Sequence, residues 1–137
     1  MKFKSLFIIF FTLFISYSAT AKGANNSRPI LTIKFTFNGI VDSCNYINKI
    51  DVFIDGEKLV TSTEKKQSET NSVSLKIKKG KYKIKIVDEV FFLGKWEEQT
   101  IANNYNIDAI YESNLRINGN TNINLLFDLD KGVSIIP

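Results

Sequence analysis

Alternation constrains this chain more than any other feature. Leu31, Ile33, Phe35 and Phe37 are separated by Thr32, Lys34 and Thr36, and near the other end Ile123, Leu125, Phe127 and Leu129 alternate with Asn124, Leu126 and Asp128. A period of two places each apolar set on one face of a β-strand, because successive side chains point to opposite sides of the backbone. The chain carries no comparable pattern for a long amphipathic helix.

Turn chemistry divides the strands. Asn38-Gly39 closes the first, and Asp55-Gly56, between 50–54 and 57–61, accepts the positive φ angles of a two-residue hairpin. The polar stretch 62–71 has no pattern and is expected to be a loop. Lys79-Gly80 is expected to close a second hairpin pairing Ile77 with Tyr82, Leu75 with Ile84 and Val73 with Ile86. That register sets Lys76 opposite Lys83 and Lys78 opposite Lys81 on the other face. The pattern blurs through 88–95, resumes weakly at 96–101 and continues at 107–111 and 115–117. About eight short strands, with a turn signal near every tenth residue, predict an all-β chain closed as a single antiparallel two-sheet sandwich.

Three runs carry a family likeness: Val52-Phe53-Ile54-Asp55-Gly56, then Leu75-Lys76-Ile77-Lys78-Lys79-Gly80-Lys81-Tyr82-Lys83-Ile84, then Asn118-Gly119-Asn120-Thr121-Asn122-Ile123. Together they resemble the small β-sandwich modules of the PEGA and transthyretin-like (carboxypeptidase regulatory) type, over residues 50–129. The resemblance implies an immunoglobulin-like or transthyretin-like sandwich serving as a non-catalytic, surface-associated module, and it transfers no active-site residue.

The beginning of the chain reads as a secretory signal. Lys2 and Lys4 precede an apolar run from Leu6 to Ile15, and Ala19-Thr20-Ala21 supplies the small-residue site for cleavage between Ala21 and Lys22. The run is about ten residues, against about twenty for a spanning helix. Residues 1–21 are therefore expected to be removed, leaving a flexible lead-in at 22–28, one domain over 29–137, and no membrane span. The address is periplasmic, secreted or cell-surface. Without Lys2 and Lys4 the 18 basic residues become 16 against 14 acidic ones, a balance that gives no case for nucleic acid. Cys44 is the single cysteine, so no intramolecular disulfide can form, and it reads as a small hydrophobe.

The chemistry left to such a chain is narrow. With no histidine, Ser-His and Cys-His pairs and the commonest zinc ligand are excluded. No metal, cofactor or catalytic residue is implied. The carboxylates stand as Asp88-Glu89, Glu97-Glu98 and Asp128-Leu129-Asp130; strand neighbours point to opposite faces, so the adjacent pairs do not make a glycosidase dyad. The Asp128 segment resembles part of a calcium loop but reads better as a solvated strand end. Two candidate surfaces remain. Lys76, Lys78, Lys81, Lys83 and Lys85 form a basic face, a solvated outer surface or one for an anionic partner. Around Val90–Trp96, Phe91, Phe92 and Trp96, with Tyr105 and Tyr111, form an aromatic set for the core or for a ligand. The first expectation is an exported non-catalytic binding or accessory module for a glycan or protein. The alternatives are a structural or assembly subunit of an envelope or surface complex, and a small carboxylate hydrolase.

Overall fold

The alternating segments do form strands, ten of them among residues 27–137, which the computed structural model describes. In chain order they are β1 (Ile30–Asn38), β2 (Ile47–Ile54), β3 (Glu57–Thr61), β4 (Lys65–Lys66), β5 (Asn71–Lys76), β6 (Gly80–Phe92), β7 (Lys95–Glu98), β8 (Ile110–Ile117), β9 (Thr121–Asp128) and β10 (Gly132–Ile135). One sheet has the order β10-β9-β1-β5; in the other, β3 and β4 pair with β2, β2 with β6, and β6 with both β7 and β8. Leu31, Ile33, Phe35, Ile123, Leu125 and Phe127 of the first sheet pack on Ile50, Val52, Ile54, Ile84, Ile86 and Ile117 of the second in one buried core. The architecture is thus an all-β, two-sheet sandwich. Among the described residues, no helix is long and apolar enough to cross a membrane. The expected signal, its Ala21–Lys22 cleavage site and most of the expected lead-in lie outside the described residues.

Several expectations change. The sandwich is not purely antiparallel: β1 and β9 run parallel, with Ile33 beside Ile123 and Phe35 beside Leu125. A parallel pair needs a long connection, and here almost the whole domain lies between the two strands. The stretch 62–71 is not wholly a loop either, since Lys65 and Lys66 pair with Asn48 and Ile47 and Gln67 is buried. In place of the strands expected at 107–111 and 115–117 there is one continuous strand, β8, over Ile110–Ile117, and residues 107–109 lie before it outside the sheet.

The largest correction concerns the hairpin expected at Lys79-Gly80. β5 pairs with β1, Leu75 opposite Leu31 and Val73 opposite Ile33, while β6 lies in the other sheet between β2 and β8. The chain crosses between sheets at 77–79. Alternation fixes which side of a strand faces inward, and Val73, Ile77, Ile84 and Ile86 are all buried as expected. It does not choose the partner, because the same residues are buried whether the two strands pair or face each other across the core. Real two-residue turns differ visibly: Asp55-Gly56 has φ 51 and 87, and Leu93-Gly94 has φ 49 and 82, whereas Gly80 has no positive φ. Gly80 instead packs beside the Tyr82 ring, whose hydroxyl donates to Lys78 O at 2.9 Å.

The lysine face dissolves with that hairpin. Lys76 sits opposite Ile30 in the first sheet, Lys78 lies in the crossing, and Lys81, Lys83 and Lys85 stand on the outer face of the second. Lys83 does not oppose Lys76. It pairs with Asn114, and its Nζ lies 3.4 Å from Glu112, with Lys85 at 3.9 Å from the same carboxylate. Lys83→Glu therefore removes an attraction rather than a repulsion. It is expected to lower stability by less than about 1 kcal/mol, because both partners are well exposed. Adding Glu112→Lys should restore most of the loss in chemical denaturation.

Candidate functional site

β6 is thirteen residues long, and its two ends meet different surroundings. Its first half pairs with β8 and its last four residues with β7, on the same side; β2 runs along the other side. The change of partner falls at Asp88. There the Asp88 N–H donates to Ala109 O at 3.0 Å, Gln99 N–H donates to Asp88 O at 3.0 Å, and Ala109 N–H donates to Gln99 O at 2.8 Å. This ring of backbone bonds closes residues 100–108 into an excursion that leaves the sheet. The excursion holds itself together: Ile101–Asn103 is a 3-10 turn, Asn104 takes φ 67, and Ile101 N–H donates to Asp108 Oδ1 at 2.9 Å.

Between the excursion and the β6–β7 hairpin lies a groove of about 510 Å³ lined by Tyr46, Phe92, Leu93, Lys95, Glu97 and 102–105. The volume is in the range of small-molecule sites. Tyr46 anchors its wall edge-on to two other rings, with centroids 5.5 Å from Phe92 and 6.0 Å from Tyr105. Glu97 is held from two sides, accepting from Tyr105 OH at 2.8 Å and lying 2.9 Å from Lys95 Nζ. The Lys95 bond, and then the Tyr105 bond, hold the Glu97 carboxyl below the usual carboxylate range. Burial, reinforced by Glu97, pushes the Tyr105 hydroxyl far up, so it stays a donor. The Tyr46 hydroxyl is raised as well, first by its hydrogen bond with Cys44.

The five aromatic candidates therefore separate. Phe92 and Tyr105 meet in the groove, whereas Phe91 and Trp96 lie on the outer face of the same hairpin, centroids 5.3 Å apart, with Lys49 Nζ 4.0 Å above the Trp96 ring. Tyr111 packs against the core from β8. Sequence reasoning missed Tyr46, Lys95, Asn103 and Asn104, and took Glu97 only as half of an adjacent carboxylate pair. Lys95 and Glu97 are two apart and share a strand face, a relation that becomes readable once Leu93-Gly94 is recognised as a turn. Tyr46 and Asn103-Asn104 carry no local signal. On the outer face of the same sheet, Lys83 and Lys85, with Phe53, Gly56 and Glu112, line a second, smaller depression of about 270 Å³. Asp128 is occupied: Oδ2 accepts from Asn38 at 2.9 Å and Oδ1 from the backbone of Asp130 and Lys131, so its carboxylate caps the turn into β10.

Comparison of the chain with models of known protein families, with curated proteins and with solved structures gives no match.

One residue at the groove's rim is costly twice over. Leu93 is 84 % exposed and sits at φ 49, a backbone region that costs a non-glycine residue about 1–2 kcal/mol and that asparagine tolerates better. Leu93→Asn is expected to raise stability by about 0.5–1 kcal/mol in chemical denaturation. A loss would show that the leucine side chain supports the hairpin.

Proposed function

We propose that this protein is an exported, non-catalytic binding module that takes a carbohydrate in the groove between the β6–β7 hairpin and the 100–108 excursion. One observation carries the reading: the aromatic residues Tyr46, Phe92 and Tyr105 line the same groove as the polar residues Glu97, Asn103 and Asn104. A sugar ring offers an apolar C–H face that packs on an aromatic ring, and a rim of hydroxyls that donate to a carboxylate and exchange hydrogen bonds with amides. An ionised Glu97, fixed by Lys95 and Tyr105, suits an acceptor for such hydroxyls. It does not suit a general acid, which needs its carboxyl raised toward neutrality. The signal-like residues Lys2, Lys4, Leu6–Ile15 and Ala19-Thr20-Ala21 support export. The likeness of residues 50–129 to PEGA and transthyretin-like modules supports an accessory, surface-associated role.

A second reading, assembly onto an envelope or surface protein, is favoured by the hairpin tip, where Leu93 and, two residues before it, Phe91 are exposed. Phe91→Ala separates the two readings: it should abolish co-purification with such a partner while leaving glycan binding within a few-fold.

Glycan-array screening followed by calorimetric titration tests the first reading. Tyr46→Ala and Tyr105→Ala are each expected to weaken binding at least tenfold, with Phe91→Ala near neutral because that ring lies on the opposite face. A blank array would remove the reading. Export is checked separately by N-terminal sequencing of secreted or periplasmic material, which should begin at Lys22; retention of Met1 would mean an uncleaved anchor.

A further inference from the structure

Beneath the groove, the inward face of the second sheet changes from apolar to polar. Asn48, Gln67, Asp88 and Gln99 are all at least 97 % buried and form one cluster. Asn48 Nδ2 donates to Asp88 Oδ1 at 2.6 Å, and Gln67 Nε2 donates to Gln99 Oε1 at 2.7 Å. Among the described residues, only two buried side-chain atoms have no partner, Gln67 Oε1 and Asp88 Oδ2. Both are oxygens, and Gln99 links the two residues, its N–H donating to Asp88 O and its Oε1 accepting from Gln67 Nε2. Two orphaned acceptors in one dry cluster are each expensive, and a single proton between them would satisfy both.

We propose that Asp88 is a neutral carboxylic acid in the folded protein, its Oδ2 proton donated to Gln67 Oε1, and that this bond positions the two walls of the groove. The connections run outward from it. Gln67 N–H donates to Tyr46 O at 3.0 Å, and Ser68 and Asn45 are joined by two further bonds, so the Gln67 segment holds the Tyr46 wall. Gln99 receives the Gln67 amide, and through the backbone ring at Asp88 it closes the base of the excursion that carries Tyr105. Asp88 thus acts as a positioning residue through Gln67 and Gln99 and does not itself line the groove. That the groove receives a ligand rests on the reading above, whereas the proton and the order of the walls can be measured without one.

The charged surroundings agree. On β6 the neighbouring Glu89 points outward and lies 3.4 Å from Lys49, which is also turned outward on β2. On β7 the inward Glu97 is engaged by Lys95 and Tyr105, while Glu98 faces outward. On the excursion Asp108 accepts from Ile101 N–H, and on the 62–70 segment Glu64, Lys65, Lys66 and Glu69 are exposed. Burial raises the Asp88 carboxyl well above its ordinary range and the like charge of Glu89 adds to it, together outweighing the Asn48 and Gln67 hydrogen bonds, which act to lower it.

The sign of the pH dependence follows. An acid held protonated by the fold contributes stability that is fully present below its unfolded value and is lost as the pH rises through its folded one. Asp88→Asn supplies a neutral amide that can still accept from Asn48 and donate to Gln67. Between about pH 5 and pH 8, where Glu97 and Asp128 stay ionised, the wild-type melting temperature should fall as the pH rises, and that of Asp88→Asn should stay nearly flat and lie at or above wild type. Hydrogen exchange at residues 99–109, corrected for its intrinsic rise with pH, should quicken in wild type over the same window and not in the variant. In a carbon-detected NMR titration of the full mature chain, the Asp88 carboxyl should keep the shift of the protonated acid into the neutral range, a result that stands even if the variant folds poorly. The competing arrangement turns both glutamine amides over, so that Gln67 Nε2 donates to an ionised Asp88. It requires a carboxylate shift at neutral pH and an Asp88→Asn variant less stable than wild type across the window, and either result overturns the proposal. Absence of any glycan binding would remove the reading of the groove without touching these measurements.

Discussion

The length of β6 governs the second sheet. At thirteen residues it is longer than any strand it faces across the core, so only its first half can be covered by the other sheet. Ile84 and Ile86 bury against Leu31, Phe35 and their neighbours, as the inner positions of a sandwich strand must. Past Ile86 the inner positions still face inward, but their cover is the 62–70 segment and the 99–109 excursion. Backbone-rich segments bring polar groups with them, and those groups require partners once water is excluded. The inner face accordingly turns from isoleucine to Asp88, with Asn48, Gln67 and Gln99 around it.

The groove is a product of that overhang. A hairpin extending beyond the covering sheet has an inner face with nothing opposite it, and the chain between β7 and β8 folds over part of that face only. The uncovered remainder is bounded by Phe92 and Leu93 at the tip, Glu97 and Lys95 on β7, and Tyr105 on the excursion. Rings packed edge-on, as Tyr46 is with Phe92 and Tyr105, hold one another in fixed orientations, so that wall of the groove is shaped in advance. The Lys95–Glu97–Tyr105 chain does the same for the polar side.

Charge on the outer face of the second sheet is of mixed sign. Lys83 and Lys85 share Glu112, Lys49 lies against both Glu89 and Trp96, and Lys58 reaches the buried Asp51 at 3.0 Å. The well-exposed pair of Lys83 with Glu112 contributes little to stability by itself. The effect of these pairings is to leave that face polar and of mixed sign.

Alternation alone determined much of this protein: that it is all-β, that Leu31, Ile33, Phe35, Ile84, Ile86, Leu125 and Phe127 are core, and that Asp55-Gly56 is a two-residue turn. Each is a local statement, since side-chain direction along a strand and positive φ at a turn depend only on nearby residues. Strand partnership was not local. Val73 and Ile86 point inward whether their strands are bonded neighbours or lie in opposite sheets, so only the tertiary structure could place β5 beside β1 and set Lys83 against Glu112. The candidate site divides the same way. Phe92 and Tyr105 were legible as aromatics in a polar context, but their meeting with Tyr46 joins residues from three separate stretches of chain. The polar cluster was illegible too, because Gln67 and Asp88 look like surface residues in sequence. They are buried only because β6 outruns the sheet across from it and two connecting segments close over the excess.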